Sequence, residues 1–343
     1  MKKKKSLLQK INGLIRRARV PVYLHRFGPK KYTSLQHCKA WLLKEKLKCS
    51  WQDFIDDFAA YYLQKVPDRS TLIKFVKRLP MWLKNSLVAL SAGLEPAVYG
   101  AIDSTGLSRT NASEHFIKRI DREKPIARPL KLSMYTAKRR ILAFRLRAKW
   151  CGDTKDVKYL TKNSLVLAET NCLDKGYDAN YIHAHFRDQG VCSIIPARKN
   201  CRRGNYRKQM RDCFDHEQYW ERNCAEYNNS SLKRRFGDYV RSVNFRAQHA
   251  EVAARIILHN MKIVLTRLFH QSRSAGAVNL SVKATRRSNY GKDKMKAETI
   301  AAAFIGSIRS VALAQHTILD LTHSARGTFF YCAIPAGYCH LRE

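Results

Sequence analysis

The sequence predicts an α/β protein: a mixed sheet flanked by helices, preceded by an all-helical N-terminal region. Three observations predict it. From about residue 34 to 90 apolar residues recur at i, i+3 and i+4, as Leu35, Trp41, Leu42 and Leu47 do, followed by Trp51, Phe54, Ile55 and Phe58. From residue 97 the texture changes to short, β-rich apolar runs bounded by turn residues. Those runs alternate with helical stretches in the order β-β-β-α-β-α-β.

In chain order, residues 1–31 form a basic arm suited to disorder or to contact with a DNA backbone. Residues 32–95 form the helical region, expected to bind DNA. It closes on VPDRSTLIKFVKRL, in which Pro67 breaks the chain and Ser70 is placed to cap a helix. Leu72, Ile73, Val76 and Leu79 supply its apolar face, and Arg69, Lys74, Lys77 and Arg78 surround the other side. Short helices ending in a basic one suit a helix-turn-helix reader of DNA, or else an ordinary helical bundle with a solvated basic face.

The α/β region is expected over 96–270. AVYGAIDSTGL is a strand that ends in a carboxylate and turn residues. PLKLSMYTA and ILAFRLRAKW pair as a hairpin across Lys138–Arg140. TKDVKYLTKN is a short helix, and SLVLAETNCLDKGYD a second apolar run ending in a carboxylate. DANYIHAHFRDQG is a helix with Asp178 near its start, and VCSIIPARKN is a further strand. A basic segment, CRRGNYRKQMRDC, leads into the helix YWERNCAEYNNSSLKRRFG. A long helical stretch follows, with Val252, Ile256, His259, Ile263 and Leu268 facing inward. Residues 271–343 open with a polar, Gly/Ser/Lys-rich linker and form an extension of unassigned role.

Charge narrows the partner. Lys and Arg number 65 against 27 Asp and Glu, a formal net charge of +38 in 343 residues. Such an excess repels itself unless a polyanion is near. The cations are spread along the whole chain, so a nucleic acid touching several segments is the natural partner, though ribosomal or membrane-surface binding would also suit the charge. MKKKK is not followed by the apolar run of a secretory leader. The longest apolar tract, TIAAAFIGSIRSVALA, is short of a span and carries Arg309, so no membrane is expected. Ten cysteines without a CxxC pair suit a reduced cytoplasm, in company with the nucleoid, and not a zinc site.

Against this basic background three acids stand out. Asp103 and Asp174 each follow an apolar strand directly and lie 71 residues apart. With the first and fourth strands adjacent and parallel, both emerge at one sheet edge, where such sheets place their sites. Glu226, 52 residues beyond Asp174, shares a helical stripe with Tyr219, Arg222 and Lys233. Three converging carboxylates suit two divalent cations, Mg²⁺ or Mn²⁺, that activate a water or a 3′-hydroxyl. Taken singly, each acid also suits a bland role: turn or cap for the aspartates, an i, i+4 pair with Arg222 for Glu226. Ser104 and Thr105 lack a nucleophile elbow. His183 and His185, two apart on a helix, face different ways.

Together these residues resemble the DDE transposases of bacterial and archaeal insertion sequences, in the superfamily of types four and five. AIDSTGL resembles the family's first Asp motif and LDKGYD its second, an Asp before Gly-Tyr. Tyr219, Arg222, Glu226 and Lys233 match its Tyr-x2-Arg-x3-Glu-x6-Lys stripe at every spacing. The likeness covers roughly residues 33–270. It implies a ribonuclease-H-like core, cut-and-paste transposition of double-stranded DNA and a homodimer in the synaptic complex. It also implies metal ligation by Asp103, Asp174 and Glu226, and DNA contact by Arg222 and Lys233 with Tyr219 packing beside them. One departure is YNNSSL, where the family has an apolar helical filling. Asn228, Asn229, Ser230 and Ser231 are poor helix formers, which predicts a weak point between Glu226 and Lys233.

Two other classes compete: a catalytically inactive DNA-binding protein derived from the same scaffold, and a cellular ribonuclease-H-like nuclease or resolvase. For every DNA-binding reading the expected outcome is steep salt dependence. Raising monovalent salt from about 50 to 200 mM should weaken duplex binding by about a thousandfold, read as the slope of log K against log salt.

Overall fold

The computed structural model describes residues 6–109, 129–199 and 201–262, all within one compact unit, Met1–His270. Expectations for residues 271–343, and for Ile263 and Leu268, lie outside the described residues.

The helical region begins earlier than the sequence reading placed it. Within the stretch read as a basic arm, Leu7–Arg17 is a helix, α1. Ser6 and Gln9 close a capping box at its start, and Ile11, Leu14 and Ile15 are buried. Their i, i+3, i+4 spacing makes one face apolar, and the flanking lysines and arginines masked it. Next come α2 (Ser34–Leu47), capped by Thr33, and a continuous helical rod, α3. Its parts are Trp51–Asp53, a π-helical turn Phe54–Phe58 and a last turn Ala59–Tyr62. Helix α4 (Arg69–Arg78) has Asp68 at its N-cap position, so Ser70 sits inside the first turn and is not the cap. Leu72 and Val76 of α4 are buried, while Arg69, Lys74, Lys77 and Arg78 are exposed, as the periodicity predicts. Helix α5 is Met81–Ala92.

Five strands follow: β1 (Tyr99–Leu107), β2 (Leu130–Ala137), β3 (Arg140–Arg147), β4 (Thr170–Leu173) and β5 (Cys192–Ile194). Their order across the sheet is β3-β2-β1-β4-β5. β1–β2 and β2–β3 are antiparallel, β1–β4 and β4–β5 parallel. The sheet is therefore mixed, with the first and fourth strands side by side as expected. Helices α6 (Val157–Lys162) and α7 (Asn180–Arg187) make the crossovers of the parallel half. Helix α8 is Asn205–Asp212. The stretch read as a site helix starts with the turns His216–Tyr219 and Trp220–Arg222 and continues as α9 (Asn223–Phe236). Residues 245–262 form α10.

Two cores lie on the two faces of the sheet. Ile102, Tyr135, Ala143 and Leu173 pack with Val157, Leu160, Ile182 and Phe186 on the face covered by α6 and α7. Leu132, Met134 and Phe144 pack on the other with Leu232 and Phe236 of α9 and Val252 and Ile256 of α10. That second core runs on without a break into Leu14, Trp41, Leu72 and Leu87 of the N-terminal helices. No helix of the described residues is long and apolar enough to cross a membrane.

α10 is pinned to the sheet by a side chain that imitates a strand. Asn260, fully buried, accepts from the Ile141 backbone N–H at 3.0 Å and donates to the Ile141 carbonyl at 2.9 Å and to Ser91 Oγ at 2.9 Å. Its amide thus satisfies both backbone groups of Ile141 on β3, which would otherwise be buried and orphaned. Replacing Asn260 by Ala should lower unfolding free energy by about 2 kcal/mol or more in urea titrations, the scale for two orphaned buried backbone groups.

Candidate active site

The site begins with the register of two parallel strands. Tyr99 to Ile102 of β1 lie opposite Thr170 to Leu173 of β4, so Ile102 faces Leu173 and the next residues in each chain are Asp103 and Asp174. The two aspartates leave the paired region at the same level. Asp103 is not at a strand end, however. β1 continues to Leu107 against β2, with Asp103 opposite Met134. The run AIDSTGL loses its β4 neighbour at Asp103 while keeping its β2 neighbour, which period-2 reading of the sequence cannot distinguish from a strand end.

Close packing fixes this register. A Cβ on Gly100 would meet Ala168 Cβ at 2.8 Å, Tyr135 Cε2 at 2.9 Å and Asn171 Oδ1 at 3.0 Å, so no larger residue fits there. The Tyr135 hydroxyl donates to Asn171 Oδ1 at 2.7 Å and accepts from the Ala168 N–H at 2.8 Å. β2 is thereby fastened across β1 to the start of β4. Beyond the aspartates a second fastening holds. Ser104 Oγ lies 3.2 Å from the Tyr177 hydroxyl and 2.9 Å from Ser133 Oγ, which donates to buried Asp156 at 2.7 Å. Ser104 follows Asp103 and Tyr177 belongs to the turn capped by Asp174, so this bond ties the two acid-bearing segments together. Asp156 is in turn held by Arg147 at 2.7 Å, Arg145 at 3.3 Å and Lys131 at 3.5 Å.

Helix α9 crosses the Asp103 face of the sheet. It is unbroken from Asn223 to Phe236, through the Asn-Asn-Ser-Ser stretch expected to weaken it. Tertiary bonds override the poor propensities. Asn228, fully buried, donates to the Lys138 carbonyl in the β2–β3 turn at 2.9 Å and to Cys224 O at 2.7 Å, and its Oδ1 lies 3.2 Å from His259 Nε2. Asn229 Nδ2 donates to Asp103 Oδ2 at 2.8 Å. Ser230 Oγ bonds back to Tyr227 O at 3.1 Å. Cys172 of β4 reaches Gln218 O at 3.3 Å, anchoring the turns that precede α9.

The helix thus carries Glu226 over the sheet end. Arg222 donates to Glu226 Oε1 at 2.6 Å, the i, i+4 pair foreseen as the bland alternative. The Arg222 guanidinium also lies 5.8 Å from the Tyr219 ring centre. Burial raises the Asp103 carboxyl above its ordinary value. The Ser104 N–H and the Arg222 charge pull it back, while the charges of Asp174 and Glu226 push it further up. Arg222 is itself raised, by Tyr219, Glu226, Asp174 and Asp103, against the opposing effect of its burial. All three acids and Arg222 therefore share one electrostatic neighbourhood. Asp174 is exposed, and among the described residues its carboxylate makes no hydrogen bond or ion pair.

The donor set is carboxylate oxygen alone, which suits hard divalent cations and not zinc. As the side chains stand, no three His, Cys, Asp or Glu residues among those described are close enough together to hold one ion. Glu226 is turned to Arg222 instead.

Other residues singled out in the sequence fall as follows. Lys233 lies two turns beyond Glu226 on α9, partly exposed. Arg69, Lys74 and Arg78 are on α4; among the described residues they have no ion-pair partner and no bond to the three acids. Asp178 does not cap α7. Ala179 holds that position, and Asp178 accepts from Arg207 at 2.7 and 2.6 Å and from the Arg198 N–H at 2.8 Å. His183, which burial pushes down to about 4, bonds Ser193, whereas His185 bonds Thr161, so the two do face different ways. Sequence reading missed Asn171, Tyr177 and Asn229. Gly-Tyr after Asp174 was a visible signal for Tyr177; nothing local marks the other two.

No family model matches the chain, and no curated protein does. Among solved structures, the cryo-EM structure of a piggyBac transposase synaptic complex with hairpin DNA is similar at 13% identity and a TM-score of 0.42, covering 80% of this chain and 74% of that one. A likeness this distant leaves function to the site itself.

Because Asp103 has its pKa raised in the folded chain, folding binds its proton more tightly, and the ionised group opposes folding once pH exceeds the ordinary carboxylate range. Asp103→Asn should therefore raise the melting temperature at pH 7 without added metal. That gain should shrink as pH falls through about 4, measured as the difference between variant and wild-type melting curves.

Proposed function

We propose that the chain is a DDE-type DNA transposase with a ribonuclease-H-like core, cutting DNA at the ends of a mobile element and joining those ends to target DNA. The observation that supports this reading is that Asp103 and Asp174 leave the β1–β4 pair at one level, with Glu226 on the helix that crosses the same sheet face, in a chain of net charge +38. The strand order β3-β2-β1-β4-β5 supports the ribonuclease-H-like assignment.

In this reading Asp103 and Asp174 would hold two divalent ions, Mg²⁺ or Mn²⁺, with Glu226 as the third carboxylate once free of Arg222. Bound ions of this kind supply an activated oxygen nucleophile and neutralise charge at phosphorus. Arg222, freed from Glu226 and braced by the Tyr219 ring, takes a DNA phosphate, as does Lys233 further along α9. Arg69, Lys74 and Arg78 take duplex phosphates along α4. In cleavage a water oxygen bonds to phosphorus and the bond to O3′ breaks, leaving a 3′-hydroxyl and a 5′-phosphate. In joining, that 3′-hydroxyl attacks a target phosphodiester and releases a target 3′-hydroxyl. Two copies of the chain, acting in the cytoplasm at the nucleoid, would hold the two element ends.

The Arg222–Glu226 pair favours a second reading, a DNA-binding derivative without cleavage, in which the pair never opens. Glu226→Gln separates them. On the first reading it keeps DNA affinity and lowers Mg²⁺-dependent nicking of element-end DNA by at least about a hundredfold, the scale for losing one charge-stabilising group. A wild-type chain that binds these ends but does not nick them with Mg²⁺ or Mn²⁺ supports the second.

A further inference from the structure

Asn229 is unexplained by everything above except its bond to Asp103. It lies three residues beyond Glu226, one turn along the same helix face. Its Nδ2 donates to Asp103 Oδ2 at 2.8 Å, and no other side chain among the described residues bonds that carboxylate. The amide orientation follows from the chemistry, because the opposite flip would set Oδ1 against a carboxylate oxygen. The same amide has a second feature. Its Oδ1 is buried and has no hydrogen-bond partner. Buried acceptors of this kind are rare and call for a donor.

The adjacent Asn228 provides the contrast. It is fully buried, and both ends of its amide are satisfied, by Lys138 O and Cys224 O on one side and His259 on the other. Asn228 fastens the helix to the sheet. Asn229 fastens nothing except one carboxylate, and it occupies a mid-helix position where Asn is a poor choice on propensity alone. The side chain with one end on Asp103 and the other end unsatisfied belongs to the carboxylate cluster, not to the scaffold.

We infer that Asn229 is a positioning residue for Asp103. Its N–H holds Oδ2 and, beside the hydrogen bond from the Ser104 N–H, orients the carboxylate toward a cation. Its own orphaned oxygen accepts a hydrogen bond from water brought in with that cation. This rests on the carboxylate site proposed above. Outer-shell partners of carboxylate ligands act in this way, and losing one costs about 10- to 100-fold in metal affinity.

The experiment is Mn²⁺ titration of the full chain, free ion read by electron paramagnetic resonance, beside thermal melting without metal. Wild type, Asp103→Asn, Asn229→Leu, Asn229→Gln and Asn228→Ala are compared. Asn229→Leu, which keeps bulk and favours helix, should bind Mn²⁺ about tenfold or more weaker while melting no lower than wild type. Asn229→Gln, which keeps the amide, should recover part of that loss. Asn228→Ala should do the reverse of Asn229→Leu, melting lower with Mn²⁺ affinity retained. Should Asn229→Leu fail to fold, Asn229→Ala gives the same comparison without added bulk. Unchanged Mn²⁺ affinity in a folded Asn229→Leu or Asn229→Ala, with binding abolished in Asp103→Asn, overturns this inference and leaves the proposed function standing. No Mn²⁺ binding by wild type, or binding that survives Asp103→Asn, overturns both.

Discussion

The parallel pairing of β1 with β4 is the constraint on which the rest depends. It sets Ile102 against Leu173 and so levels Asp103 with Asp174. A slip of one residue would turn one aspartate to the opposite face of the sheet. The structure resists that slip at Gly100, which has no room for a Cβ, and through the Tyr135–Asn171 bond that spans β1. Ser104 and Tyr177 repeat the fastening on the far side of the acids. Partly buried Asp103 is thereby held level with exposed Asp174, a like charge. Burial and the neighbouring acids raise the Asp103 carboxyl, which costs the chain stability without a cation. Such a cost, kept in place by a surrounding shell, is characteristic of a site that binds something.

α9 is the second half of the construction. Its docking uses polar residues where a helix of the same length would ordinarily use apolar ones. Asn228 anchors it to the β2–β3 turn, and Leu232 and Phe236 bury its far end. The result places Glu226, Asn229 and Arg222 above the same sheet end. Arg222 opposes the three acids there, and it is paired with Glu226. A phosphate competes for that guanidinium with the same bidentate geometry as a carboxylate. On the proposed function, a DNA phosphate taking Arg222 would free the third acid.

Most of this architecture was legible in the sequence because it is written in periodicities. Alternation marked β3, helical spacing marked α4 and α10, and the apolar runs before Asp103 and Asp174 marked β1 and β4. What was hidden had physical reasons. α1 was masked because its apolar face is embedded among lysines and arginines. The continuation of β1 past Asp103 depends on β2 alone, a pairing that leaves no local trace. The continuity of α9 through Asn228, Asn229, Ser230 and Ser231 is decided by partners that are distant in sequence: Lys138, His259 and Asp103. Propensity argued for a break there, and tertiary bonds removed it. The same long-range bonds explain why Asn171 and Asn229 could not be singled out beforehand.

The central claim is that Asp103 and Asp174 form a divalent-cation site that Glu226 completes on leaving Arg222. Anomalous diffraction from crystals of the chain with Mn²⁺ and a short element-end duplex tests it most directly. The account predicts Mn²⁺ ligated by Asp103 and Asp174, with Glu226 turned from Arg222 toward the ion. Mn²⁺ absent from these carboxylates, or bound with the Arg222–Glu226 pair intact beside the DNA, would contradict it.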